Sequence, residues 1–236
     1  MAPEVSEAAL DDRLPPALLA LTGVTGLVDA VSFLGLGHIF TANMTGNVVL
    51  LGFAVAGVPG LSVARSSASL VAFLAGAALG GRLRVAMAAA SRRRWLLTFA
   101  LAEAGLLLAA ALASIGFDIE AAAPPSRLYA VIVLTAVAMG MRNATVRRLA
   151  VPDLTTTVLT FTLTDLAADS ALAGGGNLRI RRRATSVVSM FAGAAIGALL
   201  LRAGLALPLV VGGACVLAAI TAYSTVPGVG TSGQPP

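Results

Sequence analysis

Apolar residues run in long blocks along this chain, at about 17–37, 67–90, 95–117, 128–146, 184–201 and 205–224. Each is close to the ~20 residues that a helix needs to cross a ~30 Å hydrocarbon layer. Six spanning helices are therefore predicted. Two further blocks, 42–58 and 154–173, are shorter and studded with polar residues. The first begins within "HIFTANMTGNVV", where Thr41, Asn43, Thr45 and Asn47 interrupt an apolar stretch; the second has threonine at 155, 156, 157, 160, 162 and 164. Backbone that leaves the helix inside a bilayer must find partners in protein or water, so such segments line a cavity or are buried. Gly46 permits a break, and the hydroxyls and amides around it can satisfy freed backbone groups or face a solute.

Composition sets the medium. A chain of 236 residues, 58% hydrophobic and 11% charged, with a mean hydropathy of +0.91, cannot hide that much apolar surface in one water-soluble core. The predicted class is an all-α integral membrane protein. Glu4, Glu7, Asp11 and Asp12 against Arg13 give the N-terminus the wrong charge for a signal peptide, so the first span is expected to stay as an anchor. The single Cys215 excludes an internal disulfide and a cysteine metal cluster. The segment after Tyr223 lacks an apolar stripe and reads as a disordered tail.

The net charge of +5 would suggest nucleic acid in a soluble protein, but here the sixteen basic residues, all arginine, sit at the ends of apolar blocks and set orientation. They cluster at 82–94, at Arg142, Arg147 and Arg148, and at 179–183. If blocks 42–58 and 154–173 return to the side they entered, all three clusters share one face. The positive-inside pattern thus favours six spans plus two re-entrant or broken segments, with both termini cytoplasmic; eight spanning helices stay open as the alternative.

The chain also repeats itself. "GLVDAV" from Gly26 matches "GMRNAT" from Gly140 at an offset of 114, "TANMT" from Thr41 matches "TTTVLT" from Thr155, and "GAALG" from Gly76 recurs as "GAAIG" from Gly193 at an offset of 117. Three spans per half is an odd number, so the second half is expected upside down relative to the first, a frequent build of secondary transporters. The organisation expected is a cytoplasmic tail at 1–14, a first membrane repeat at 15–117, an external loop at 118–127, a second repeat at 128–224 and a tail at 225–236.

The stretches "GLVDAVSFLGLGHIFTANMTGNVVLLG" and "NATVRRLAVPDLTTTVLTFTLTDLAADS" resemble the two signatures of the YoaK-like family of bacterial multi-pass membrane proteins, a family of unknown function. The resemblance covers about 17–223 and implies a multi-span protein of the inner (plasma) membrane; it supplies no reaction or substrate. Arg142 and Asp165 depart from the Gln and Gly that members commonly carry. Both put charge into apolar segments, so the two are expected to pair with each other.

Asp29 is the sharpest single residue. Some twelve residues into the first span, it reads either as a proton- or cation-coupling carboxylate or as a hydrogen-bond partner for threonine or a backbone break. Its repeat partner is Asn143, expected on a facing helix at the pseudo-axis. Glu103 is a second carboxylate at depth, with pairing to a neighbouring arginine as its plainer reading. His38 reads as interfacial rather than as a pH sensor. The pairs Gly76 with Gly80 and Gly193 with Gly197 read as close helix packing, and Arg179 to Arg183 as a topology anchor.

Enzyme chemistry is poorly supported. The lone His38 lies far from any serine elbow, His and Cys are too few for a metal hydrolase, and no phosphate-binding loop occurs; an acid-base lipid enzyme using Asp29 and Glu103 stays open. The reading reached is a non-enzymatic small-solute transporter, with Asp29, Asn43, Thr45, Gly46, Asn47, Asn143, Thr157, Thr160 and Thr164 along the pathway, and Asp29, Glu103, Arg142 and Asp165 as candidates for coupling or ion pairing. The alternative is a non-transporting scaffold or sensor. Expected partners are the lipid bilayer and a small solute, with a homo-oligomer allowed and nucleic acid excluded; no cofactor or metal is expected.

Overall fold

The computed structural model describes residues 14–149, 159–176 and 179–224. Thr157, most of the N-terminal tail and the 225–236 tail lie outside the described residues. Among the described residues there are eight α-helices and no strand: α1 (Leu14–Gly35), α2 (Met44–Val55), α3 (Val63–Ala86), α4 (Arg92–Ala113), α5 (Pro125–Leu149), α6 (Leu159–Ala168), α7 (Ile180–Leu201) and α8 (Ala206–Ser224). The protein is an all-α membrane protein.

Six of these helices are long and apolar enough to span. The other two, α2 and α6, have 12 and 10 residues; at 1.5 Å per residue they reach about 18 and 15 Å, well short of the hydrocarbon thickness. Among the described residues six helices are therefore long enough to span, and α2 and α6 are not. Local chemistry sets several starts: Asn43 caps α2 by accepting from Gly46 N, Ser62 caps α3 by accepting from Arg65 N, and Ser91 caps α4 by accepting from Arg94 N.

The helices pack across the two halves. α1 lies on α7, α3 on α5, and α4 on α8, while α4 also meets α5 and α1 meets α8. α1, α4, α5 and α8 form the inner layer. α3 and α7 flank it, and the short α2 and α6 lie outside them, against α3 and α7 respectively. The core sits in the inner layer, around Val28, Leu107, Val131, Ile132, Ala136 and Leu209, all fully buried.

Two close crossings are made by glycine. On α1, a Cβ at Gly26 would run into the backbone of Met190 and stand 2.9 Å from Ala194 N; on α5, a Cβ at Gly140 would run into Phe73 and stand 2.8 Å from Ala77 N. Likewise Gly193 meets Gly23 where Gly76 meets Val137, and Gly197 meets Leu27 where Gly80 meets Met141. Positions on α1 and α5 match at an offset of 114, and those on α3 and α7 at 117. In lipid, where apolar side chains gain little from leaving the solvent, such small residues let backbones approach and supply the packing energy.

Candidate functional site

α1 stops at Gly35 and the chain runs irregularly to Asn43 before α2 begins. The polar residues of that stretch hold its backbone. Asp29 Oδ1 accepts from Ala42 N at 3.0 Å and Asn43 N at 3.3 Å, and Asn43 Oδ1 accepts from Gly46 N at 3.2 Å. Asn47 grips Phe40 as a peptide would: its Oδ1 accepts from Phe40 N at 3.0 Å and its Nδ2 donates to Phe40 O at 2.7 Å. That same carbonyl takes the Ser69 hydroxyl from α3, also at 2.7 Å. Phe40 stacks on Phe33, which receives exposed His38 edge-on. Thr41 is buried with no partner for its hydroxyl, whereas Thr45 is exposed.

Asp29 therefore meets the backbone break. α1 begins at Leu14, earlier than the apolar block suggested, which puts Asp29 six residues before Gly35, about 9 Å from the C-terminal end of the helix. Asn143 likewise lies six residues before the C-terminal end of α5 at Leu149. Asp29 lines a groove with Gly26, Phe33 and Met190 between α1 and α7; Asn143 lines one with Phe73, Ala77 and Arg147 between α3 and α5. The two line separate grooves and so do not form the expected facing pair.

The charge at the centre belongs to Arg142. Its Nε donates to Glu103 Oε1 at 2.7 Å, and Nη2 donates to the same oxygen. Nη1 donates to Leu21 O at 2.9 Å and to Thr25 Oγ1 at 3.0 Å. Glu103 stands at the middle of α4, and both residues are buried. The expected pairing of Arg142 with Asp165 is thus corrected. Arg142 faces the inner layer, while Asp165 sits on peripheral α6 and meets Arg183 of α7, whose Nη1 donates to Asp165 O at 3.0 Å and Asp169 Oδ2 at 2.7 Å and whose Nη2 reaches Asp165 Oδ2 at 3.4 Å.

α6 does not bring its threonines to the centre either. Thr160 and Thr164 are exposed, and the Thr164 hydroxyl donates back to Thr160 O at 2.9 Å. This i to i−4 bond satisfies a hydroxyl within its own helix and removes the need for a polar neighbour.

A narrow slot of about 30 Å³ runs between α1, α4, α5 and α8, room for about two waters. One end is walled by Leu14, Leu96, Leu149 and Ile220, which lie at or near one shared end of the four helices; Glu103, Arg142 and Thr145 line the other. Seven residues separate Leu96 from Glu103 and Arg142 from Leu149, so the slot is about 10 Å long. Thr25, Thr145 and Ser69 were missed from the sequence. Ser69 had one signal, since Ser186 lies 117 residues on and both are buried. Among the described residues, no three His, Cys, Asp or Glu side chains gather where they could hold a metal.

The chain is 36% identical over 154 residues to the UPF0700 transmembrane protein YoaK of Bacillus subtilis (strain 168), covering 65% of this chain and 64% of that protein. It thus spans a little under two thirds of that relative's length. No solved structure matches. Six apolar spans and a transmembrane relative make this a multi-pass protein of the bacterial inner membrane. The chain belongs to the family described as "Protein of unknown function (DUF1275)", which matches residues 17–223.

Proposed function

We propose that the protein moves a small solute across the inner membrane, at a site built on Arg142 and Glu103. One observation carries the reading: a buried charged pair in the inner layer lines a slot that leads to one shared end of the four inner helices. Ionisable groups at membrane depth are costly, face bundle interiors or cavities, and commonly mark solute or ion pathways. Three long helices in each half, with matched glycine crossings, support an inverted duplication. In this reading α1 with α7 and α3 with α5 move as two cross-packed units against α4 and α8. A carrier is favoured over a channel because the slot stops at the ion pair. Coupling to protons or cations has less support at Asp29, whose Oδ1 is occupied by backbone N–H groups. No enzymatic step is part of this reading, and a homo-oligomer is compatible with it.

A scaffold or sensor is the second reading, and one observation favours it: Asp29, Asn43 and Asn47 all stitch the broken segment. The deciding experiment screens purified protein against a metabolite and ion library by thermal unfolding, since a ligand of the native state raises stability by mass action. Each hit is then tested for accelerated release from proteoliposomes. A stabilising solute that also crosses faster establishes transport; folded protein that responds to nothing and passes nothing favours the scaffold.

A further inference from the structure

We propose that the solute is a small molecule without net charge that presents a hydrogen-bond donor and an acceptor side by side, as a primary amide or a zwitterionic amino acid does. The inference rests on the transporter reading and names the substrate class of that same site. A guanidinium has five N–H groups. In Arg142, Nε and one Nη2 hydrogen go to Glu103 Oε1, and the two Nη1 hydrogens go to Leu21 O and Thr25 Oγ1. One Nη2 hydrogen and the second carboxylate oxygen, Glu103 Oε2, have no protein partner among the described residues. Both residues line the slot. The site thus offers one donor and one acceptor within a single ion pair, carried by groups of opposite charge.

Charge balance excludes the simple ions. An anion drawn to Arg142 meets the Glu103 carboxylate beside it, and a cation drawn to Glu103 meets the guanidinium. The pair's net field is too weak to offset the desolvation of a lone charge at this depth. A neutral amide avoids that cost. Its carbonyl accepts from Nη2, its N–H donates to Oε2, and it replaces the two or so waters that the slot admits. A zwitterion does the same with carboxylate and ammonium, its charges opposing those of the site. The remaining walls, Leu18, Phe99 and Val216 among them, are apolar and suit a short aliphatic substituent.

The test uses probes of similar size and different charge: acetamide, acetate, ethylammonium and glycine, each titrated against the full-length protein in detergent with thermal unfolding as the readout. Acetamide or glycine should raise the midpoint in a dose-dependent way, while acetate and ethylammonium should leave it in place. A response to acetamide without glycine assigns the neutral amide, and the reverse assigns the zwitterion. Glu103→Gln leaves a net positive site and should transfer the response to acetate. The double variant Arg142→Gln with Glu103→Gln is neutral again; it guards against a single variant that fails to fold, and it should lose acetate. Stabilisation of the unaltered protein by acetate or ethylammonium alone overturns the inference while leaving transport standing. Silence toward all four overturns it as well, and the wider library then decides separately whether transport survives.

Discussion

Arg142 on α5 directs two N–H groups at one oxygen of Glu103 on α4, 39 residues earlier in the chain. The pair is deeply buried: the two side chains are 1% and 6% exposed. In such surroundings the energy of the pair lies less in its net worth than in what happens when half of it is removed. A stranded buried charge costs roughly 3–5 kcal/mol, whereas a neutral replacement of both partners is often tolerated.

Arg142→Gln or Glu103→Gln alone should therefore lower the thermal midpoint and the yield of folded protein, and the double Gln variant should recover most of the loss. The measurement is a double-mutant cycle by thermal unfolding in detergent. Exchanging charges between Arg142 and Asp165 (Arg142→Asp with Asp165→Arg) should give no rescue, because Asp165 belongs to Arg183. Additive losses in the Arg142–Glu103 cycle would refute the coupling.

Asp29 holds two backbone N–H groups of the segment between α1 and α2. Asp29→Asn keeps an acceptor oxygen and should cost about 1 kcal/mol, the difference between charged and neutral acceptors; Asp29→Ala leaves two N–H groups without that acceptor and should cost about 2–3 kcal/mol. Hydrogen exchange should quicken at Ala42 and Asn43 in the alanine variant before it quickens in α1. If transport is found, Asp29→Asn should retain it, and abolition of flux in folded protein would return the residue to a coupling role.

Glycines divide cleanly by what a methyl group would strike. Gly26 and Gly140 face backbone, while Gly105 on α4 has nothing within 4 Å of a new Cβ. Gly26→Ala and Gly140→Ala should each separate a helix pair and destabilise by about 1–3 kcal/mol, the usual cost of overpacking. Gly105→Ala should be neutral or stabilise by up to about 1 kcal/mol through helix propensity. Thermal unfolding of the three variants side by side checks the order.

What the sequence made legible was what is local. Apolar runs gave the six spans to within a few residues, because a helix in lipid must bury its backbone over a fixed thickness. The glycine spacing of Gly76 with Gly80 and Gly193 with Gly197 marked the close crossings. The partner of Arg142 was not legible, since it depends on which face α5 turns inward. The blocks offered a clue: Glu103 stands well inside an apolar block, 95–117, whereas Asp165 lies in the polar-studded block 154–173. Asn43 and Asn47 were correctly singled out as able to satisfy freed backbone. Only the fold tells whether such groups are spent on the chain itself, as Phe40 and Gly46 show here.

Arg183 ties peripheral α6 to α7 through Asp165 and Asp169. Its side chain is 8% exposed, but the carboxylates are 43% and 49% exposed, so water and salt screen much of the attraction and the pairs should be worth no more than about 1 kcal/mol to the whole fold. The local effect should be larger. α6 packs chiefly on α7, and the first half has no matching charge, since the position equivalent to Arg183 is Ser66. Arg183→Gln should leave the thermal midpoint nearly unchanged while amide exchange quickens at Asp169 and across 173–175, the turn that follows α6. Raised salt should produce the same pattern in the unaltered protein. A large fall in the midpoint would mean instead that α6 is a structural element of the core rather than a segment pinned to its edge.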